Sequence, residues 1–223
     1  MKFAPVLLCG VMSLANVGRG AELSVAKLEE APPSDAVSPA IAAQLSPTGF
    51  KVTSGTSRTV CDVWLAKEWP VKPGFQPSIS VTYPFEMGQL LGVIRYKRKG
   101  ADFRDQELAS GVYTVRYAQQ PVDGSHVGTS DTRDFVLLLK AEQDTKVATP
   151  SKEDLFKMSV EAAGTTHPAM LCLLAADGNT TEPKVEHEES RDLWILRVSG
   201  KQNVDGKVSD LPLGLVVVGH AAE

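Results

Sequence analysis

From Phe50 to His220 the chain is written in short apolar runs separated by turn residues. In "GVYTVRY", Tyr113, Val115 and Tyr117 fall on one side of an extended chain, and Thr114 and Arg116 on the other. In "GVIRYK", Ile94 and Tyr96 oppose Val93, Arg95 and Lys97. This period of two predicts half-buried strands. "FVLLLK" and "GLVVVG" are apolar on both sides, which predicts strands that are central or covered by another element. The pattern predicts strands near 50–54, 59–66, 78–83, 90–97, 111–119, 134–140, 168–175, 193–200 and 213–220, with "KPG", "RKG" and "DG" among the breakers. The last two form a long hairpin with Asp205-Gly206 at or near its turn. Short strands at this spacing predict a mainly β fold, an antiparallel sandwich or barrel, of which the β-sandwich over 50–223 is the leading expectation.

Two short peripheral helices interrupt this grammar. In "SPAIAAQLSPTG", Ser38 suits a cap, Pro39 the first helical position, and Pro47 with Gly49 the stop. Ile41 and Leu45 share a face, so this helix of a 21–49 extension is expected to dock on the main body. In "TPSKEDLFKMSVEAAG", Ser151 and Asp154 resemble a capping box, Leu155, Met158 and Ala162 follow at helical spacing, and Gly164 suits the C-terminal stop. This helix is expected to cross one end of the sandwich.

The first twenty residues read as a secretory signal peptide. Lys2 supplies the positive start, Ala4 to Val17 is mostly apolar, and Gly18, Gly20 and Ala21 offer small residues for cleavage. No later run reaches the ~18 apolar residues of a membrane helix. The expectation is an exported protein, periplasmic or secreted, with no transmembrane segment. Losing Lys2 and Arg19 takes the formal net charge from −4 to −6. Such an acidic chain has no general attraction for nucleic acid. Export leaves Cys61 and Cys172, which can form a disulfide in an oxidising compartment. Both also sit in apolar runs that suit buried free thiols, so both outcomes stand at this point.

The search for chemistry returns little. No nucleophile elbow, P-loop or Rossmann fingerprint occurs. "SVAK" at Ser24 to Lys27 fits S-x-x-K without its companion motifs, in a polar stretch expected to be mobile. The expectation is therefore a non-enzymatic protein without a cofactor, with a binding role towards a cell-envelope component or polysaccharide. Two places can carry such a role. In the long loop "QPVDGSHVGTSDTRD", Asp123, His126 and Asp131 can hold a cation or polar ligand, or simply brace the loop. On "RYKRKG", Arg95 and Lys97, joined by Arg116 on the outer face of another strand, can form a positive patch for an anionic glycan, or simply a charged hairpin end. "EHEES" at Glu186 to Ser190 is expected to be a solvated loop. Asn179 opens a glycosylation sequon.

"ELASGVYTVRY" resembles the L-x-x-G-x-Y strand entry of prealbumin-like and immunoglobulin-like exported β-sandwich domains, and Gly111 to Phe135 is similar to uncharacterised secreted bacterial proteins. The resemblance implies fold and export, and no catalytic residue.

Overall fold

The computed structural model describes residues 22–123, 128–175, 178, 180 and 182–221. The signal-peptide pattern, His126 and Asn179 lie outside them. In chain order the elements are β1 (Leu23–Leu28), α1 (Pro39–Ala42), β2 (Gly49–Ser54), β3 (Arg58–Leu65), β4 (Trp69–Pro70), β5 (Leu90–Tyr96), β6 (Gly100–Ala101), β7 (Glu107–Leu108), β8 (Gly111–Gln119), β9 (Asp134–Lys140), α2 (Lys152–Ala163), β10 (Met170–Leu174), β11 (Lys184–Glu188), β12 (Leu193–Val204) and β13 (Lys207–Val218).

The protein is mainly β. Eleven strands form one continuous ladder in the order β1-β2-β3-β5-β8-β9-β10-β13-β12-β11, with β4 paired in parallel to β12. β6 and β7 form a separate two-stranded piece. Neighbours along the main ladder are antiparallel. Strand β10 joins the two flanks of the ladder: its residues 170–172 pair with β9 and its residues 173–174 with β13. The ladder curls into a half-barrel, and its two outer strands, β1 and β11, come into contact without pairing.

The curl explains the alternation in the sequence. Tyr113, Val115 and Tyr117 from β8, Val136 and Leu138 from β9, and Leu213, Leu215 and Val217 from β13 all belong to one interior core. Strands apolar on both sides are covered on the outside as well. Leu155 of α2 packs on Leu137 and Leu139 of β9, and Val216 of β13 joins an outer cluster with Phe103 and Cys172. Helix α2 thus packs on β9, while Ala162 and Ala163 at its C-terminal end reach the large core cluster. Its Ser151 cap accepts from the Asp154 amide at 3.0 Å, and Gly164 closes it with φ of 68°. In α1 the Ser38 oxygen accepts from the Ile41 amide, and Ile41 and Leu45 dock against Trp64. The β12–β13 hairpin turns at Asp205 and Gly206, with φ of 51° and 84°, the left-handed pair that a two-residue turn needs.

Three segments differ from expectation. Residues 78–83 form no strand; prolines at 73, 77 and 84 remove ladder donors along this connection. "SVAK" is not a mobile tail, because β1 pairs with β2 from Leu23 to Leu28 and buries both leucines. Three residues apart on a strand, Ser24 and Lys27 point to opposite faces, which removes any joint chemistry. "EHEES" contributes to edge strand β11, whose side chains remain largely solvated.

Candidate functional site

Of the residues expected to form a site, Arg116 is placed most differently. Its side chain does leave the sheet on the outer face, but the chain after β9 folds over it. Arg116 is fully buried, and its Nε and Nη2 grip the two oxygens of Asp144 at 2.6 and 2.9 Å. Nη1 donates to the Gly88 carbonyl at 2.8 Å, Nη2 to that of Lys146 at 2.6 Å, and Thr114 Oγ1 to Asp144 at 2.5 Å. A guanidinium so engaged cannot contribute to a surface patch. Arg95 is also occupied: it binds buried Asp62 through Nε and Nη2 at 3.0 and 2.6 Å, reaches Glu30 at 2.8 and 3.2 Å, and lies 4.9 Å above the Trp64 ring. The Arg95 contact holds the Glu30 carboxyl below its ordinary range. Lys97 is 3.5 Å from the same Asp62 oxygen. The three cations therefore do not assemble into one patch.

The described part of the 123–134 loop, residues 128–134, is braced by its surroundings. Asp131 takes an ion pair from Arg191 at 2.8 Å, and Arg133 Nε donates to the Gln120 carbonyl at 2.8 Å. Asp123 is exposed, and His126 lies outside the described residues. Among the described residues no three His, Cys, Asp or Glu side chains gather as a metal site.

The cysteines are both free and buried. Cys61 points into the interior core and Cys172 into an outer cluster, from strands separated in the ladder by β5, β8 and β9. A disulfide needs facing side chains on close backbones, so the disulfide expectation gives way to that of two buried thiols. Burial pushes the Cys172 thiol up to about 12 and the Cys61 thiol higher. Both are poor nucleophiles.

All four tyrosines behave alike. Burial pushes the phenols of Tyr83, Tyr96, Tyr113 and Tyr117 above their ordinary value. Tyr83 donates to the Leu174 carbonyl at 2.8 Å, and Tyr117 to buried Asp134 at 2.5 Å. The unfolded chain ionises its tyrosines near pH 10, before the folded one does. Stability is therefore intact below about pH 10 and falls as pH rises above it. A spectrophotometric titration is expected to show no tyrosinate until the protein unfolds; a tyrosine ionising normally in folded protein would contradict this.

The residues that do converge come from distant parts of the chain. At one end of the half-barrel, the β2–β3 hairpin, the end of β5, the β6–β7 piece and the end of β13 enclose a cleft of about 530 Å³. Its lining includes Leu23, Arg58, Val60, Tyr96, Arg98, Lys99, Ala101, Asp105, Glu107, Asp192, Val218 and His220. Glycine builds one wall: a Cβ at Gly100 would lie 2.6 Å from Tyr96 Cδ1, so only a bare backbone can double back over that ring. Asp102 fixes the return, accepting from the Arg104 and Gln106 amides, each at 2.9 Å, and from the Met170 amide at 3.2 Å.

Charge in the cleft is unevenly satisfied. Lys99 pairs with Glu107 at 2.7 Å, and Asp192 with His187 at 2.7 Å. Among the described residues, Arg58, Arg98 and Asp105 form no ion pair. The Tyr96 hydroxyl is buried without a hydrogen-bond partner. A second groove, of about 650 Å³, runs between residues 34–39, the start of β8 and the end of β9. It is larger but holds no guanidinium group: Asp35, Lys140 and Glu142 are its charged residues. The first cleft is the stronger candidate on chemical grounds. Sequence reading noticed Arg98 only as part of "RYKRKG" and passed over Arg58 and Asp105, since no local motif links them.

No protein-family model, curated protein or solved structure matches the chain.

Proposed function

We propose that this is an exported, non-enzymatic binding protein that receives a ligand in the cleft between the β2–β3 hairpin and the end of β13. The observation carrying this reading is the cleft lining itself: Arg58 and Arg98 stand there without an ion pair among the described residues, and the Tyr96 hydroxyl beside them is buried without a hydrogen-bond partner. Its size is in the range of small-molecule sites, about 300–1,000 Å³. The inert thiols and protonated phenols support a role without nucleophilic chemistry. The leader pattern of Met1 to Gly20 supports export. In this reading the two flanks of the curled ladder act as facing layers of a collapsed sandwich, prealbumin-like or immunoglobulin-like in kind.

The test is a thermal-shift screen of mature protein against small polar and charged compounds. A stabilising compound is expected to lose its effect in Ala101→Trp, which fills the cleft from an exposed wall position. A compound that stabilises both proteins equally would place binding elsewhere. Turnover of an ester, peptide or glycoside by the purified protein would overturn the non-enzymatic reading.

A further inference from the structure

We infer that the protein has a second binding site, a slot for an extended acidic peptide, at the opposite end of β2 and β3 from the cleft. It goes beyond the ligand reading above and does not depend on it. The observation behind it is a gap in the hydrogen bonding along β12. On one side of this strand, β13 pairs without interruption from Ile195 to Val204. The other side is shared: β11 covers 193–197, and β4 covers 202–203. Between them the edge of 198–201, about 13 Å of strand at about 3.3 Å per residue, faces no strand among the described residues.

The period of two identifies the groups left over. The Asn203 carbonyl accepts from the Val71 amide at 2.9 Å, so Asn203 turns its backbone groups towards β4. Lys201 and Ser199, two and four residues earlier, present theirs on the same edge. The N–H and C=O of Ser199 and the N–H of Lys201 find no backbone or side-chain partner among the described residues. The Ser199 hydroxyl is likewise buried without a partner. This edge borders a hollow of about 240 Å³, whose lining also takes in residues 46–48 and half-buried Phe50. The charged residues of the lining are Lys67 and Lys201, and no carboxylate stands with them. Lys201 pairs at 2.6 Å with Asp210, outside the lining. Lys67 is exposed and donates to the Ala43 carbonyl at 2.7 Å, with no ion pair among the described residues. A row of free donors and acceptors on a strand edge matches another extended backbone, as when a peptide adds a strand to a sheet. An inorganic ion would satisfy one of these groups and not the row. The free lysine favours a carboxylate on the incoming peptide.

The test is an NMR titration of the mature protein with the peptide acetyl-Thr-Val-Glu-Val-Thr-amide. The peptide is expected to shift the Ser199 and Lys201 amide signals and to slow their exchange with solvent. An analogue N-methylated throughout, which cannot donate to the edge, is expected to bind at least about tenfold more weakly. Lys67→Glu is expected to weaken the acidic peptide about fivefold, to leave its Gln-for-Glu analogue unchanged, and to melt with the parent protein, since the side chain is exposed. Ala101→Trp, which fills the cleft at the other end, is expected to bind the peptide as the parent does. No binding of the acidic peptide, or equal binding of the methylated analogue, would overturn the slot. So would signals that move at Arg58 and Arg98 in place of Ser199 and Lys201. An unaffected Lys67→Glu would overturn the preference for an acidic peptide.

Discussion

Asp144→Ala is expected to cost about 3–5 kcal/mol, because it strands a charge in a place water cannot reach. Arg116 has zero exposure, and Asp144 supplies both oxygens of its bidentate pair. Deleting the carboxylate leaves the guanidinium with two backbone carbonyls, Gly88 and Lys146, and no counter-charge. It also leaves Thr114 Oγ1 with only a 3.5 Å contact to the Leu139 carbonyl. Urea denaturation should show a large fall in midpoint with an unchanged slope. The pair need not be worth that much in itself, since a well-packed apolar pair can replace a buried ion pair at little cost. Arg116→Met/Asp144→Leu is therefore expected to recover most of the loss. A single Asp144→Ala variant that unfolds within about 1 kcal/mol of the parent would mean that solvent reaches Arg116, against its burial here.

Trp64→Ala has a comparable expected cost, about 3–5 kcal/mol, by a different mechanism. Trp64 is fully buried on the outer face of β3, where Leu28, Val37, Ile41 and Leu45 pack around it. Its Nε1 donates to the Glu30 carbonyl at 2.8 Å, and Arg95 covers its ring. The apolar side of the segment between β1 and β2 is therefore gathered on one side chain, beside the Arg95–Glu30 pair and the backbone bonds from Ser46 to Leu65 and from Lys67 to Gln44. Removing the indole opens a cavity and releases this segment before the sheet opens. A glutamate-specific protease is expected to cut Trp64→Ala at Glu29 or Glu30 under conditions that leave the parent intact. Unchanged protection would show that β1 pairing, Arg95 and the backbone bonds hold the segment without the indole. Trp64→Phe keeps the packing, loses the hydrogen bond, and should fall between the two.

These two sites mark what the sequence could and could not disclose. Local rules were readable: alternation placed Tyr113, Val115 and Tyr117 on the interior face, Asp205-Gly206 marked its turn, and Ser38 and Ser151 capped their helices. Alternation, however, assigns faces and not neighbours, so a single curled ladder and two stacked sheets give the same pattern. The period of two also cannot distinguish an outer face open to water from one covered by a later segment. That ambiguity put Arg116 on a surface, when Asp144, 28 residues further on, folds over it. β1 and β11 were missed because edge strands can keep polar side chains on much of their surface. The cleft was hidden for another reason: Arg58, Arg98 and His220 meet only after the ladder has curled.

The contact between β1 and β11 has a practical corollary. Closing the curl draws Leu23 and His220 to the rim of the same cleft, although 197 residues separate them. A bulky group attached at His220 would sit at that rim and compete with a ligand for the opening. Preparations labelled there and left unlabelled should then give different affinities with no change in melting.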